Sequence, residues 1–146
     1  MAPSSTPTET PMRLPAFLAA LSTLAVSLPA PAETPAQLRD AFVLEAKAAN
    51  PAFAGPSADR GRAFFSALHG REWSCATCHT QDPAATGKHA STGKAVAPLA
   101  PSANPERFTS AAKVEKWFRR NCNDVAGRAC TAQEKADVLA WLLAAK

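Results

Sequence analysis

"WSCATCHTQ", residues 73–81, holds two cysteines separated by two residues and a histidine directly after the second. The spacing of Cys75-Ala-Thr-Cys78-His79 fits attachment of a c-type haem. One helical turn separates the thiols, each adds across a vinyl group at the macrocycle edge, and the adjoining imidazole reaches the iron. Two other readings compete for a Cys-x-x-Cys. A thioredoxin-like redox pair sits in a βαβ context, and no strand-helix-strand pattern surrounds this one. A structural zinc site needs a second ligand pair at suitable spacing, whereas Cys122 and Cys130 are eight positions apart. The fold is therefore expected to close around one haem, with Cys75 and Cys78 as thioether links and His79 as proximal iron ligand.

Upstream, "RLPAFLAALSTLAVSLPAPA" (residues 13–32) has one positive charge, an apolar run from Leu14 to Leu28, and small residues with prolines ending in Ala30-Pro31-Ala32. That order reads as a secretory signal peptide cleaved between Ala32 and Glu33, in a chain whose true start is either Met1 or Met12. The apolar run is short for a membrane span, which needs about 20 residues. Residues 1–32 are thus expected to be leader and residues 33–146 a single exported domain, periplasmic in location. Cleavage removes one of 16 basic and one of 12 acidic residues, so the net charge stays at +4. The charge is spread along the chain, without a run that would suggest a nucleic-acid arm. A weakly basic surface fits an acidic protein partner or ordinary solubility equally well.

The rest of the domain reads as helices joined by long loops. Thr34 caps a helix beginning at Pro35 and stopped by Asn50-Pro51, with Leu38, Phe42, Ala46 and Ala49 near one face. A shorter helix starts after Ser57 and is expected to end near Gly70, with Phe64, Phe65 and Leu68 inward. Residues 80–108 are rich in Pro, Gly, Ser and Thr without a usable period, a length that calls for an organiser such as a cofactor. Helicity returns at "TSAAKVEKWFRRNC", capped by Thr109 or Ser110, with Val114, Trp117 and Phe118 inward. The last helix opens with a Thr131/Glu134 capping box and carries Val138, Trp141 and Leu142 as its stripe. Four short helices bury little surface alone, and a haem would supply much of the missing apolar interior.

"GRAFF" (61–65) ahead of the haem motif and Trp141-Leu142 in the last helix resemble class I cytochromes c. In that family a glycine and an aromatic on the first core helix pack against an aromatic on the C-terminal one. The expected fold is all-α and class I cytochrome c-like, with four or five short helices and long loops around one covalently bound haem. That family usually completes the iron with methionine. The only methionines here are Met1 and Met12, at or before the leader, so a mature His/Met haem is excluded. His69, His89, a lysine, an amide or an open position remain as candidates. His69 lies only six residues before Cys75, an awkward reach, and His89 sits in "GKHASTGK" without an apolar anchor.

"PLAPSANPERFTSAAKVEKWFRRNCNDVAGRAC" (98–130), together with "TPAQL", "RGRAFF" and the haem motif, resembles the sphaeroides haem protein family, a small group of oxygen-binding cytochromes c. The resemblance covers nearly all of the mature chain and departs at Ala132, where the family wording has proline. It implies that Asn121, immediately before Cys122, is the distal ligand of the oxidised iron, and that Cys122 and Cys130 form a disulfide beside it. Local sequence alone reads Asn121 as a helix C-cap, since Asn tolerates the left-handed conformation. An amide oxygen is a hard, weak donor, adequate for ferric and poor for ferrous iron. Reduction should release it and open a site for O2 or NO, to which the freed NH₂ group can donate. The disulfide would close a nine-residue loop worth roughly 2–3 kcal/mol, either as a structural tie or as a redox switch on Asn121.

The resulting expectation is a periplasmic monohaem protein that takes part in electron transfer and binds diatomic gases when ferrous. The resemblance further implies a diheme cytochrome c as electron donor and a membrane cytochrome b upstream. Two rivals stand beside it: a plain carrier with a permanently six-coordinate haem, and an O2 or NO reductase or dioxygenase, for which no acid/base residue is marked.

Overall fold

In a computed structural model, residues 32–146 are described. The expected leader, apart from Ala32, and the alternative start at Met12 lie outside them. Helix α1 (Pro35–Ala49) begins at Thr34, whose hydroxyl accepts from the Gln37 N–H while the Gln37 side chain accepts from the Thr34 N–H. This reciprocal cap satisfies two donors that the helix start leaves unpaired. Leu38, Phe42 and Ala46 are buried, and Ala49 in the final turn is exposed. Helix α2 (Ala58–Ser66), capped by Ser57, ends four residues earlier than expected. The chain becomes extended at Ala67 and then left-handed at His69 (φ 50°) and Gly70 (φ 75°). Leu68 consequently falls beyond the helix and is 55% exposed instead of facing inward.

Helix α3 (Cys75–His79) is followed by a two-residue antiparallel pair, β1 (Gly87–Lys88) with β2 (Ala95–Val96). The pair is too short to leave an alternation in the sequence. Helix α4 (Ala111–Ala126) is capped by Ser110 and runs on through Asn121 and Cys122 to Gly127, which ends it at φ 69°. Val114 is buried and Phe118 meets Phe42 edge to face at 5.8 Å, but Trp117, expected inward, is half exposed. Helix α5 (Ala132–Ala144) opens with the expected Thr131/Glu134 capping box. The architecture is the expected helical one with long loops and little strand.

The core lies where α5 packs against α1 and α2. Leu139 and Leu142 are fully buried among Leu38, Phe42, Phe65 and Val138, each contributing roughly 1.5–3 kcal/mol by leaving water. Gly61 makes this approach possible: a Cβ at that position would overlap the Asp137 carbonyl and crowd the Val138 nitrogen. The same crossing buries the Asp137 carboxylate, which accepts from the Ser57 N–H at 2.7 Å and from Arg60 Nε and Nη2, each at 2.8 Å. A buried carboxylate is tolerable only when so paired. Asp137 gives no sign of this role in the sequence, where it reads as the polar neighbour of Val138.

Candidate haem site

Helix α3 is a single turn, and its ends are built to hold it. Ser74 and Thr77 form a second reciprocal cap: the Ser74 N–H donates to Thr77 Oγ1 at 3.0 Å and the Thr77 N–H to Ser74 Oγ at 3.2 Å. At the other end Thr80 takes a positive φ of 64° and turns the chain away. β1 lies directly against this turn, because a Cβ on Gly87 would overlap the Cys78 carbonyl. The Ala90 N–H donates to Cys78 Sγ at 3.3 Å. The little hairpin thus organises part of the stretch that carried no sequence period.

Cys75 and Cys78 are free thiols, while Cys122 and Cys130 are joined in a disulfide with their Cα atoms 5.6 Å apart. Burial pushes the Cys75 thiol up to about 11. A redox-active Cys-x-x-Cys works the other way, with a thiol pKa depressed to make the thiolate, and Cys75 is shifted in the opposite sense. The His79 imidazole is pushed down to about 4 by burial, with the positive charge of Arg107 adding to the effect. A neutral ring keeps the lone pair that a metal needs. His79 stands 6.2 Å from the Phe65 ring, which itself packs at 4.8 Å on Trp141. That contact is the aromatic pairing between the first core helix and the last one expected from the class I resemblance.

Cys75, Cys78 and His79 line a cavity of about 920 Å³, and so does Asn121 on α4. Protein interiors are packed too closely to leave such a space unused, and its size is near the upper end of ordinary ligand sites. Phe65, Leu99, Val138 and Leu142 supply apolar walls, and Arg107 sits at its edge, pinned by bonds to the carbonyls of Ala97 and Pro98 at 2.7 and 2.8 Å. Two thiols one turn apart, a neutral imidazole beside them and an apolar slot fit a haem. Among the described residues, no cluster of three or more His, Cys, Asp or Glu side chains is placed to hold a bare metal ion.

The candidates for the sixth position lie in different settings. His69 does not line the cavity; its Nε2 lies 2.7 Å from the Phe64 carbonyl and its ring packs on Phe64 at 4.3 Å, which holds the end of α2. His89 does line the cavity, but its Nδ1 accepts from the Thr92 N–H at 3.3 Å. Ser91 Oγ also lies 3.2 Å from the same Nδ1, so the ring is held within its own loop. Asn121 is not a C-cap, because α4 continues to Ala126. Among the described residues its side-chain amide has no hydrogen-bond partner. Lys113 also borders the cavity and is exposed. Arg107, Asp137 and Gly87 shape the site or its support, and of these only the Gly87 contact had a sequence signal, a glycine amid a loop.

Residues 51–142 match the family described as "Domain of unknown function (DUF1924)". The chain is 52% identical over 115 residues to cytochrome c-type protein SHP of Cereibacter sphaeroides, covering 76% of this chain and 84% of that protein. It is 45% identical over 102 residues to cytochrome c'' of Methylophilus methylotrophus, covering 67% and 71%. Among solved structures, oxidised cytochrome c'' superposes with a TM-score of 0.69 at 40% identity, covering 77% of this chain and 94% of that one. Oxidised SHP, described as an oxygen-binding cytochrome c, gives 0.68 at 49% identity, covering 76% and 96%.

Proposed function

Because the chain belongs to the sphaeroides haem protein family of c-type cytochromes, we propose that it is a periplasmic monohaem cytochrome that transfers electrons and, when reduced, binds a diatomic gas. The observation carrying this reading is the shared cavity, which brings Cys75, Cys78, His79 and Asn121 to one space while no methionine occurs among residues 32–146. The haem would supply an iron that cycles between ferric and ferrous states and accepts a sixth ligand. Cys75 and Cys78 would hold it through thioethers, and the neutral His79 would be its proximal ligand. Export fits both the leader-like residues 13–32 and the Cys122–Cys130 disulfide, a bond of oxidising compartments.

Asn121 would then decide between carrier and gas binder. Its amide oxygen would suit the harder ferric iron and bind the softer ferrous one poorly. Once displaced, its NH₂ group would remain beside the opened position as a hydrogen-bond donor. Two named relatives support this direction: SHP is described as oxygen-binding, and the solution structure of cytochrome c'' was presented as bearing on haem-ligand detachment. A diheme cytochrome c as donor, fed from a membrane cytochrome b, completes the proposal.

Optical spectra of the purified holoprotein test it. The ferrous form should be high-spin and shift on addition of CO, whereas an unchanged low-spin spectrum would leave a permanently six-coordinate carrier. Replacing Asn121 by Val should convert the ferric form to a five-coordinate or water-ligated one; if only His89→Ala does so, the ligand is His89.

A further inference from the structure

The solvent face of α4 carries a concentration of charge that haem binding does not use. Lys113, Lys116, Arg119 and Arg120 are all exposed, and among the described residues none of them forms an ion pair. Glu115, the one acid between them, is turned to the other side and bonded to Lys135 Nζ at 2.8 Å. At about 100° per residue the four cations and Trp117 occupy roughly 160° of the helix circumference, with the buried Val114 and Cys122 and the half-buried Phe118 outside that arc. Lys113/Lys116, Lys116/Arg119 and Lys116/Arg120 are spaced three or four residues apart, an arrangement that repels and weakens a helix. Four unpaired charges also equal the net +4 of the whole chain. The chain's remaining charges therefore cancel in number, and the two propionates of a bound haem would lower the total to about +2.

Trp117 lies at the cavity-side edge of the patch, 50% exposed, with the Arg120 guanidinium 5.7 Å from its ring. An exposed tryptophan with an arginine against its ring has the composition of an interface anchor. Lys113, Trp117 and Arg120 also border the cavity that holds Cys75, His79 and Asn121, with Asp124 and Glu106 as the acids on that rim. Patch and cofactor site share a wall.

We propose that this face of α4 is the docking surface for an acidic electron-transfer protein. Its carboxylates would meet Lys113, Lys116, Arg119 and Arg120, and its redox centre would come to the cavity rim beside Trp117. In the encounter the partner's one-electron donor is oxidised and passes a single electron to the haem iron, which is reduced from ferric to ferrous. The inference rests on the cytochrome reading above. Charge of this kind acts mainly on the association rate and fades with salt.

The test uses the full holoprotein with flavodoxin semiquinone as an acidic protein reductant and lumiflavin semiquinone as a neutral small one. Reduction by flavodoxin should slow roughly tenfold or more as ionic strength rises from about 0.01 to 0.3 M. The double variant Lys116→Glu/Arg119→Glu, at positions outside the cavity lining, should slow it about tenfold at low salt. Lys88→Glu/Lys94→Glu on the hairpin should change it less than about twofold, and lumiflavin should reduce all three proteins equally. Equal slowing by the hairpin and α4 variants would overturn the proposal, since only overall charge would then matter. Self-association of the wild type that the α4 variant abolishes would overturn it too, by assigning the face to a second copy. A wild type that lumiflavin fails to reduce would remove the cytochrome reading itself.

Discussion

Gly61→Ala separates two arguments that predict opposite signs. Gly61 is inside α2, and on helix propensity alone alanine should stabilise by about 1 kcal/mol. The packing says otherwise. A Cβ at residue 61 would meet the Asp137 carbonyl and the Val138 nitrogen, all backbone atoms of α5 that cannot rotate aside as a side-chain tip would. Relief requires α2 and α5 to move apart, although this contact lies beside the fully buried Leu139 and Leu142. Overpacking costs about 1–3 kcal/mol, and backbone against backbone places this case at the upper end. Setting roughly 3 kcal/mol against 1 leaves a net loss of about 2 kcal/mol. For a domain of this length that lowers Tm by about 8 °C.

Thermal and denaturant unfolding of the holoprotein, followed by far-UV circular dichroism, reads this directly. Separation of α2 from α5 should also disturb the Phe65–Trp141 contact at 4.8 Å, so near-UV dichroism should change with stability. A Gly61→Ala protein as stable as the wild type would refute the close-approach argument.

The disulfide, the buried carboxylate and the last capping box give three further expectations. Replacing Cys122 and Cys130 by Ala should cost about 2–3 kcal/mol of unfolding free energy; an unchanged ferric spectrum at temperatures where the variant is folded marks the bond as a structural tie, and a changed one as a control on Asn121. Asp137→Asn keeps the shape but gives Arg60 a donor to face. It should destabilise by about 2 kcal/mol in urea unfolding, discounted because Arg60 is half exposed, and no loss would mean the pair is ornamental. At Glu134 burial works to raise the pKa, but bonds from Arg128 and from the Thr131 N–H, with the charge of Arg128, overcome it and lower the value. A folded pKa below the unfolded one gives stability that is present above about pH 4.3 and lost as pH falls through the folded value. Glu134→Gln should therefore lower Tm at pH 7, with the deficit closing below about pH 4; a pH-independent deficit would count against this linkage.

What could be read in advance was what is local in sequence. Caps at Thr34, Ser57 and Thr131 are side chains bonding to backbone three residues away, and the Cys75–His79 turn carries its chemistry within five residues. The class I aromatic contact was also legible, because Phe65 and Trp141 belong to a pattern. Misplacements arose where a distant group or the cavity decides. Leu68 and Trp117 have the right period for the core, but α2 ends before one and the cavity lies beside the other. Asp137 and Arg107 had no local signature, since their partners are backbone groups and side chains brought together only by folding.

Asn121 was marked as a candidate ligand only by the family resemblance, because the local reading misplaced the end of its helix. Ended at Cys122, α4 makes Asn121 a natural cap; carried to Gly127, it makes the same residue a mid-helix side chain beside the cavity. The helix is fixed at both ends. At its start Ser110 accepts from the Lys113 N–H and the Glu33 carboxylate accepts from the Ala111 N–H. At its end the disulfide ties Cys122 to the residue before the Thr131 cap, and Arg71 Nη2 lies 3.4 Å from the Asn123 carbonyl. On the proposed ligation, a helix so anchored has little freedom to unwind when the iron is reduced. Release would then fall to rotation of the Asn121 side chain, or to a small shift of the whole helix, either of which would leave the amide near the position it vacates. In that arrangement one side chain would serve both as a ferric ligand and as a hydrogen-bond donor to what replaces it.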